Sequence, residues 1–111
     1  MLQVDKKEDV LQSLEDAIME TNNTNRTAEL QRYSPSVLIP KDTTTFFRYE
    51  GSQTTPPCTE GKIWIILAEP KHVKEEELEF LRQHVTAEGK HEGHTFRETQ
   101  PLNGRIVFFN R

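Results

Sequence analysis

The most informative stretch of this sequence runs Tyr49-Glu50-Gly51-Ser52-Gln53-Thr54-Thr55-Pro56-Pro57-Cys58-Thr59-Glu60-Gly61-Lys62-Ile63-Trp64. Residues 51–57 contain glycine, serine and two prolines, which predicts a loop. Proline fixes its own φ angle and lacks an N–H donor, so the Pro-Pro pair predicts a rigid corner that holds the hydroxyls of Thr54 and Thr55 in a set direction. Hydroxyls held in this way suit a binding site, and a plain turn between two strands is the alternative that these residues alone leave open.

The segments on either side of this loop predict strands of a mixed, β-dominated fold. Phe46–Tyr49 precedes the loop, and Ile63–Leu67 follows it as a continuous β-branched and aromatic run, which is typical of a strand buried on both faces. Ile106–Phe109 predicts a last strand. Val37–Pro40 is a short apolar run stopped by proline, which favours an extended conformation.

Helices are expected in two places. Residues 4–20 carry an apolar stripe with helical spacing, and Asp5 followed by Glu8 marks its start. The stripe consists of Val10, Leu11, Leu14, Ala17 and Ile18. Residues 74–84 predict a second helix, with carboxylates in its first turn where the helix dipole favours them. One side of it carries Leu78, Leu81 and Val85. Because strands and helices do not alternate regularly, a doubly wound parallel sheet is not expected.

The composition describes one small acidic domain with few apolar residues. The chain has 111 residues, too few for two domains, and a formal net charge of −4. Hydrophobic residues make up 33%, whereas about half is usual, which indicates that part of the domain is missing. No basic cluster suggests a nucleic acid or anionic membrane partner. No apolar run reaches the length of a membrane-spanning helix, and residues 1–20 lack a signal-peptide pattern.

The stretch from Tyr49 to Trp64 is very similar to the active-site loop of α-class carbonic anhydrases, whose pattern runs Tyr-x-Gly-Ser-x-Thr-Thr-Pro-Pro and then Trp. Other segments resemble the same family in the same order: residues 4–20, Ser34–Pro40, Trp64–Pro70 and Phe96–Arg105. The resemblance identifies residues 1–111 as the C-terminal portion of a single α-carbonic anhydrase domain whose N-terminal portion is absent. It implies an incomplete version of that fold, a large central and mostly antiparallel sheet with peripheral helices.

The activity that this resemblance implies is the zinc-dependent, reversible hydration of carbon dioxide to bicarbonate. Zinc lowers the pKa of its bound water to about 7 and so provides hydroxide at neutral pH. By similarity, Thr54 accepts a hydrogen bond from that hydroxide and donates one to a buried carboxylate, and its backbone amide holds the product oxygen. Thr55 contacts bicarbonate in the same cavity, and Trp64 contributes to the apolar floor. Pro56 and Pro57 fix the loop, and a cis peptide bond is one way in which they can do so.

The resemblance also indicates a parent protein that is secreted or lies on the extracellular face of a membrane. Cys58 is the only cysteine, and it matches the position at which secreted and membrane-bound members carry a disulfide cysteine. Its partner in those members lies near the start of the domain. Taken alone, a single cysteine favours a small buried thiol, and half of a disulfide whose partner lies outside the chain is the alternative. N-glycosylation sequons at Asn22 and Asn25 suit a secreted protein.

The sequence departs from the family in its metal ligands. The family's zinc histidines, its proton-shuttling histidine and its buried glutamate belong to the N-terminal part of the domain and have no counterpart here. His91 and His94 are close in sequence, but a structural zinc site normally needs four ligands, so both are expected to be solvated loop residues. His72 and His84 flank the second predicted helix and are expected at the surface. Zinc is therefore expected in the complete domain and not in this chain alone.

Two positions of the predicted pocket also depart from the family. Gln53 stands where the family has an apolar residue, and Lys62 stands where a small apolar residue contributes to the substrate wall. A buried lysine is costly and disfavours a nearby cation, so either Lys62 points elsewhere or the pocket is altered. The sequence leaves two hypotheses: a portion of a carbonic anhydrase that is inactive alone, or a portion of a non-catalytic, carbonic-anhydrase-related extracellular binding module. The oligomeric state stays open.

Overall fold

A computed structural model of the chain describes residues 1–22, 26–83 and 96–111. They form two compact units. One unit contains residues 40–70 and 96–111, and the other contains residues 2–22, 26–39 and 71–83. In chain order, the strands and α-helices are β1 (Leu2–Val4), α1 (Glu15–Glu20), β2 (Phe46–Ser52), β3 (Glu60–Leu67), β4 (Lys71–Val73), α2 (Glu75–Arg82) and β5 (Phe108–Asn110). The predicted β-dominated class with few helices is confirmed.

The first unit is built on a three-stranded sheet in the order β3-β2-β5. Both pairings are antiparallel, as the family fold implies, with Phe47 opposite Ile66 on one side and opposite Phe109 on the other. β2 continues through Ser52, so the loop begins later than the sequence predicts. β5 begins at Phe108, two residues after the predicted start at Ile106.

The two faces of this sheet follow from its register, because directly opposite residues of an antiparallel pair share a face. One face carries Phe46, Arg48, Glu50, Ile63, Ile65, Leu67 and Phe108. The other face carries Phe47, Tyr49, Gly51, Lys62, Trp64, Ile66 and Phe109. Ile63 and Ile65 are 49% and 56% exposed, so the prediction that residues 63–67 are buried on both faces is wrong. β3 is an edge strand, and within the described residues of this unit no second layer packs on its isoleucine face.

The second unit joins the start of the chain to the segment before α2. β1 pairs in parallel with β4, so that Leu2 lies opposite Lys71 and Val4 lies opposite Val73. Val73 is fully buried and Leu11 is 6% exposed, and these side chains form the apolar centre of the unit. The pairing places α1 and α2 against each other.

The first helix is shorter than the stripe at residues 4–20 predicts, because α1 begins only at Glu15 after a 3₁₀ turn at Gln12–Leu14. Asp5 Oδ1 accepts a hydrogen bond from the backbone N–H of Lys7 at 2.7 Å, and Asp9 Oδ1 accepts one from Leu11 at 3.0 Å. Aspartates that bond the backbone two residues ahead favour turns over helix. Asp5 therefore does not start the helix.

The segment before β2 also differs from the prediction. Pro35–Leu38 forms a 3₁₀ helix, whereas an extended conformation was expected from Val37 onward. Pro35 lies in its first turn, where the missing N–H of proline costs little. Ile39 is extended, with φ −97° and ψ 126°, as expected for the residue before a proline.

The second predicted helix is confirmed as α2, within the expected range of residues 74–84. Its burial differs from the prediction. Leu78 is half-buried and Leu81 is exposed, whereas Glu77 is only 3% exposed. Val85 lies outside the described residues. None of the described helices combines the length and the apolar composition that crossing a membrane requires.

Candidate functional site

The loop between β2 and β3 is closed at its base and braced in its middle. The backbone N–H of Gln53 donates to the carbonyl of Thr59 at 2.9 Å, and that of Cys58 donates to the carbonyl of Thr55 at 2.8 Å. Between Thr55 and Cys58 lies the peptide bond of Pro56-Pro57, which is cis. A turn with a cis proline at its third position is a type VI turn. The Pro-Pro pair thus lies in a turn, and its role in fixing the loop stays a prediction.

Both threonines of the motif lie on this loop with exposed side chains. Among the hydrogen bonds of the described residues, none involves the side-chain hydroxyl of Thr54 or Thr55. Each hydroxyl can donate one hydrogen bond and accept others, so the pair can bind a small oxygen-rich ligand. The backbone hydrogen bonds of the loop fix the path of the chain that carries both threonines.

Trp64 lies on β3 and is bonded to the strand end that leads into the loop. Its indole Nε1 donates to the backbone carbonyl of Ser52 at 3.0 Å. The indole is stacked with the ring of Tyr49, with centroids 6.4 Å apart and planes 11° apart. The structure thus places Trp64, which the resemblance assigns to the apolar floor, beside the end of β2, from which the loop that carries Thr54 continues.

Lys62 stands on the same sheet face as Trp64, because the register pairs it with Gly51 while Tyr49 pairs with Trp64. Its side chain is exposed, as is that of Gln53. Lys62 therefore stands on the side of the sheet that carries Trp64.

Two arginines that the sequence analysis left without a role hold the base of the loop. Arg97 Nη1 donates to Ser52 Oγ at 2.7 Å, and Arg105 Nη1 donates to the carbonyl of Glu50 at 2.7 Å. Arg105 also donates from Nε to the carbonyl of Leu102 and from Nη2 to that of Pro101, both at 3.0 Å. The arginines line a cleft of about 370 Å³ beside the strand end. The C-terminal segment that resembles the family is the only sequence signal that includes them.

The remaining predicted site residues are not brought to this loop as a group. Cys58 lies in the loop, half-buried, with a free thiol and φ 56°. Asn22 is half-buried in the other unit, at the end of α1, and Asn25 lies outside the described residues. Disulfide formation at Cys58 and glycosylation at both asparagines stay predictions.

Of the four histidines, only His72 lies within the described residues. It lies in β4, directly before α2, with its side chain 30% exposed and its Nδ1 3.4 Å from Asp5 Oδ2. His84, His91 and His94 lie outside the described residues. In the described ranges, no three His, Cys, Asp or Glu side chains are grouped so that they could hold a metal ion. These residues do not fit a zinc site.

Comparison with known proteins places the chain among relatives that are much longer. It is 43% identical to the putative carbonic anhydrase 5 of Caenorhabditis elegans over 79 residues, which is 71% of this chain and 26% of that protein. It is 35% identical to the putative carbonic anhydrase 3 of the same species over 106 residues, 96% of this chain and 43% of that protein. It is 29% identical to the human carbonic anhydrase-related protein over 116 residues, 96% of this chain and 40% of that protein.

The chain therefore spans less than half the length of each of these curated relatives. The family model of the eukaryotic-type carbonic anhydrases matches residues 1–111 of the chain. The Thr-Thr-Pro-Pro loop between two antiparallel strands, with Trp64 beside it, agrees with this match. The chain belongs to the eukaryotic-type carbonic anhydrase family.

Proposed function

We propose that the chain is the C-terminal portion of a carbonic anhydrase domain that catalyses the reversible hydration of carbon dioxide to bicarbonate. The observation that carries this proposal is the braced loop of residues 53–59, which presents the hydroxyls of Thr54 and Thr55 beside Trp64 in a member of that family. Bicarbonate is small and rich in oxygen, which matches two closely spaced hydroxyls. Carbon dioxide is apolar overall and suits the indole of Trp64.

Each part of the loop has a separate task in this proposal. Thr54 orients the reacting oxygen through its hydroxyl, and its neighbour Thr55 binds the bicarbonate product. Trp64 excludes water from one side of the substrate. Orientation of this kind accelerates a reaction only if the groups are held in place before the substrate arrives, which is what the turn at Pro56-Pro57 and the bonds from Arg97 and Arg105 provide.

The metal is expected to be held by residues other than those described. Because the described residues do not form a zinc site, this proposal assigns the zinc ligands to the portion of the domain that longer relatives have and this chain does not span. The half-exposed isoleucine face of β3 supports that division, since an edge strand with an apolar face is a surface on which further strands or a second layer can pack.

The proposed location of the parent protein is outside the cell. Cys58 supports it, because a half-buried thiol in a loop next to a candidate site can pair with a cysteine elsewhere in a longer chain. Expression of the complete parent protein through the secretory pathway, followed by mass spectrometry under non-reducing conditions, tests this. A Cys58 that is fully alkylated without prior reduction would count against the disulfide.

A second candidate function is a non-catalytic binding module of the same fold. Lys62 favours it, because its ammonium group shares a sheet face with Trp64, where an apolar wall is needed for carbon dioxide. The similarity to the human carbonic anhydrase-related protein adds support. The two functions differ in one measurable respect, which is hydration activity when the domain is complete.

A chimera tests the catalytic proposal directly. Residues 1–111 replace the matching portion of the putative carbonic anhydrase 3 of Caenorhabditis elegans, and carbon dioxide hydration is followed with a pH indicator against the unmodified host protein. Thr54→Ala should lower kcat by about 10²-fold, the usual effect of removing one group that orients charge in a transition state. Thr54→Ser, which keeps a hydroxyl, should retain most activity.

The matched control is Thr43→Ala, an exposed threonine outside the loop. It should leave kcat unchanged. A folded, zinc-loaded chimera with no activity, beside an active host, would favour the binding module. Equal activity of Thr54→Ala and the parent chimera would remove Thr54 from the mechanism.

A further inference from the structure

Gly51 lies against the indole of Trp64 with no room for a side chain. A Cβ atom on Gly51 would stand 2.8 Å from Trp64 Cδ1 and 3.1 Å from its Nε1, and also 3.1 Å from Tyr49 Cε2. A separation of 2.8 Å is well inside van der Waals contact. The backbone at Gly51 is in β2 and not in the left-handed region that favours glycine. Glycine is therefore required here by space and not by backbone conformation.

The indole cannot easily make room for a side chain at this position. It is a rigid ring, it is stacked on Tyr49, and its Nε1 donates to the carbonyl of Ser52, the residue directly after Gly51. A methyl group at Gly51 would push the pyrrole edge of the indole away from the backbone and lengthen that hydrogen bond. The hydrogen bond joins Trp64 to the start of the loop, two residues before Thr54.

We propose that Gly51 is a positioning residue, which sets the location of the Trp64 indole relative to the Thr54 loop by leaving the space that the indole occupies. This inference rests on the proposed function, because it assigns a catalytic purpose to the placement of Trp64. Gly51 itself touches no substrate. It acts through the indole, and its replacement changes the substrate wall without removing any polar group.

Trp64 is the only tryptophan in the sequence, so its indole can be observed alone. In ¹⁵N-labelled full-length chain, the single indole N–H resonance of the wild type should exchange slowly with solvent because it is bonded to Ser52. Gly51→Ala should shift this resonance and accelerate its exchange by about tenfold or more, as loss of one hydrogen bond allows. Glu50→Ala, at an exposed neighbour on the opposite sheet face, should do neither. An unchanged indole signal in Gly51→Ala would overturn the proposal.

A double-mutant cycle keeps the test decisive if Gly51→Ala folds poorly. Gly51→Ala should lower the folding equilibrium constant by about tenfold more in the Trp64 background than in a Trp64→Val background, where no indole can collide. Equal losses in the two backgrounds would show that the effect is not exerted through the indole and would overturn the proposal.

Activity in the chimera separates this inference from the proposed function. Gly51→Ala should lower kcat/KM for carbon dioxide hydration at unchanged zinc content, whereas Glu50→Ala should not. A displaced indole with unchanged kcat/KM would refute the positioning role. If the parent chimera is inactive, the proposed function is contradicted, and with it the catalytic purpose of Gly51. The indole resonance in Gly51→Ala still shows in that case whether Gly51 sets the position of Trp64.

Discussion

Replacing Glu77 with glutamine is expected to stabilise the chain at neutral pH. Glu77 is 3% exposed, and its Oε2 atom is buried without a hydrogen-bond partner. Burial is the main cause that raises the pKa of this carboxyl above its ordinary value, and the nearby carboxylates of Asp9 and Glu15 raise the pKa further. The positive charge of Lys74 acts in the opposite direction. The charged form of Glu77 is therefore destabilised in the folded chain.

The size of the effect follows from the buried oxygen. A buried polar atom without a partner costs about 1–3 kcal/mol, and a charged one costs more. Glutamine has nearly the same shape, carries no charge, and offers an NH₂ group that can donate to the carboxylate of Glu15. Glu77→Gln should accordingly raise the free energy of unfolding by about 1–3 kcal/mol at about pH 7.

The gain should depend on pH in a defined direction. Because the folded-state pKa of Glu77 is raised, the folded chain holds this proton more tightly than the unfolded chain does. The stability that the proton contributes is fully present below the unfolded value near 4.5 and is lost as the pH rises through the folded pKa. Wild type and Glu77→Gln should thus differ little in acid and most at neutral pH.

Urea unfolding followed by far-UV circular dichroism, at about pH 4 and about pH 7, measures both quantities. The control is Glu76→Gln, which removes an exposed charge from the same turn of α2. The reasoning is refuted if Glu77→Gln gives no stabilisation at neutral pH. It is also refuted if the gain is the same at both pH values, or if Glu76→Gln produces an equal gain.

Other predictions concern the loop and its surroundings. Arg105→Lys should lower the free energy of unfolding by about 1.5–3 kcal/mol, because lysine cannot reproduce a guanidinium group that donates to the carbonyls of Glu50, Leu102 and Pro101. The control Arg111→Lys, at the exposed C-terminal end, should leave the free energy of unfolding unchanged in the same urea titration. Equal losses in the two variants would contradict this. The chain purified alone should contain no stoichiometric zinc and show no hydration activity, and one equivalent of zinc by elemental analysis would refute this. In an active chimera, Lys62→Val should raise kcat/KM by about tenfold, since it removes a charge from the sheet face that carries Trp64. An unchanged or lower kcat/KM would show that Lys62 does not impair the substrate wall.

The part of the site that could be predicted from the sequence is the part made by neighbouring residues. β2, the loop and β3 lie within residues 46–67, where β-branched and aromatic runs, glycine and the Pro-Pro pair each specify their own local conformation. The resemblance of the same stretch to a known family added the roles of Thr54 and Trp64. Neither source specified where β2 ends, because a β-bulge at Gly51 and Ser52 keeps the strand paired beyond the first glycine.

The features that escaped prediction depend on contacts between distant residues. Arg97 and Arg105 bond to residues 45 and 55 positions earlier, which no local pattern can indicate. The parallel pairing of β1 with β4 joins two short strands far apart in the chain, so no local pattern indicated a strand at Leu2–Val4. Glu77 is buried although its helix has leucines with suitable spacing, because packing against α1 decides which side of α2 is covered.

The distribution of contacts implies that the loop and the metal site of the proposed enzyme are held by different residues. The loop is held by bonds from its own flanking strands, by the indole of Trp64 on Ser52, and by Arg97 and Arg105, all within one compact unit of this chain. The loop is therefore held by contacts within residues 40–70 and 96–111. A catalytic zinc needs several ligands placed together, and the described residues offer no such group. In the proposed function, the Thr54–Thr55 loop therefore depends on residues of this chain, whereas the zinc ligands depend on the portion that longer relatives have.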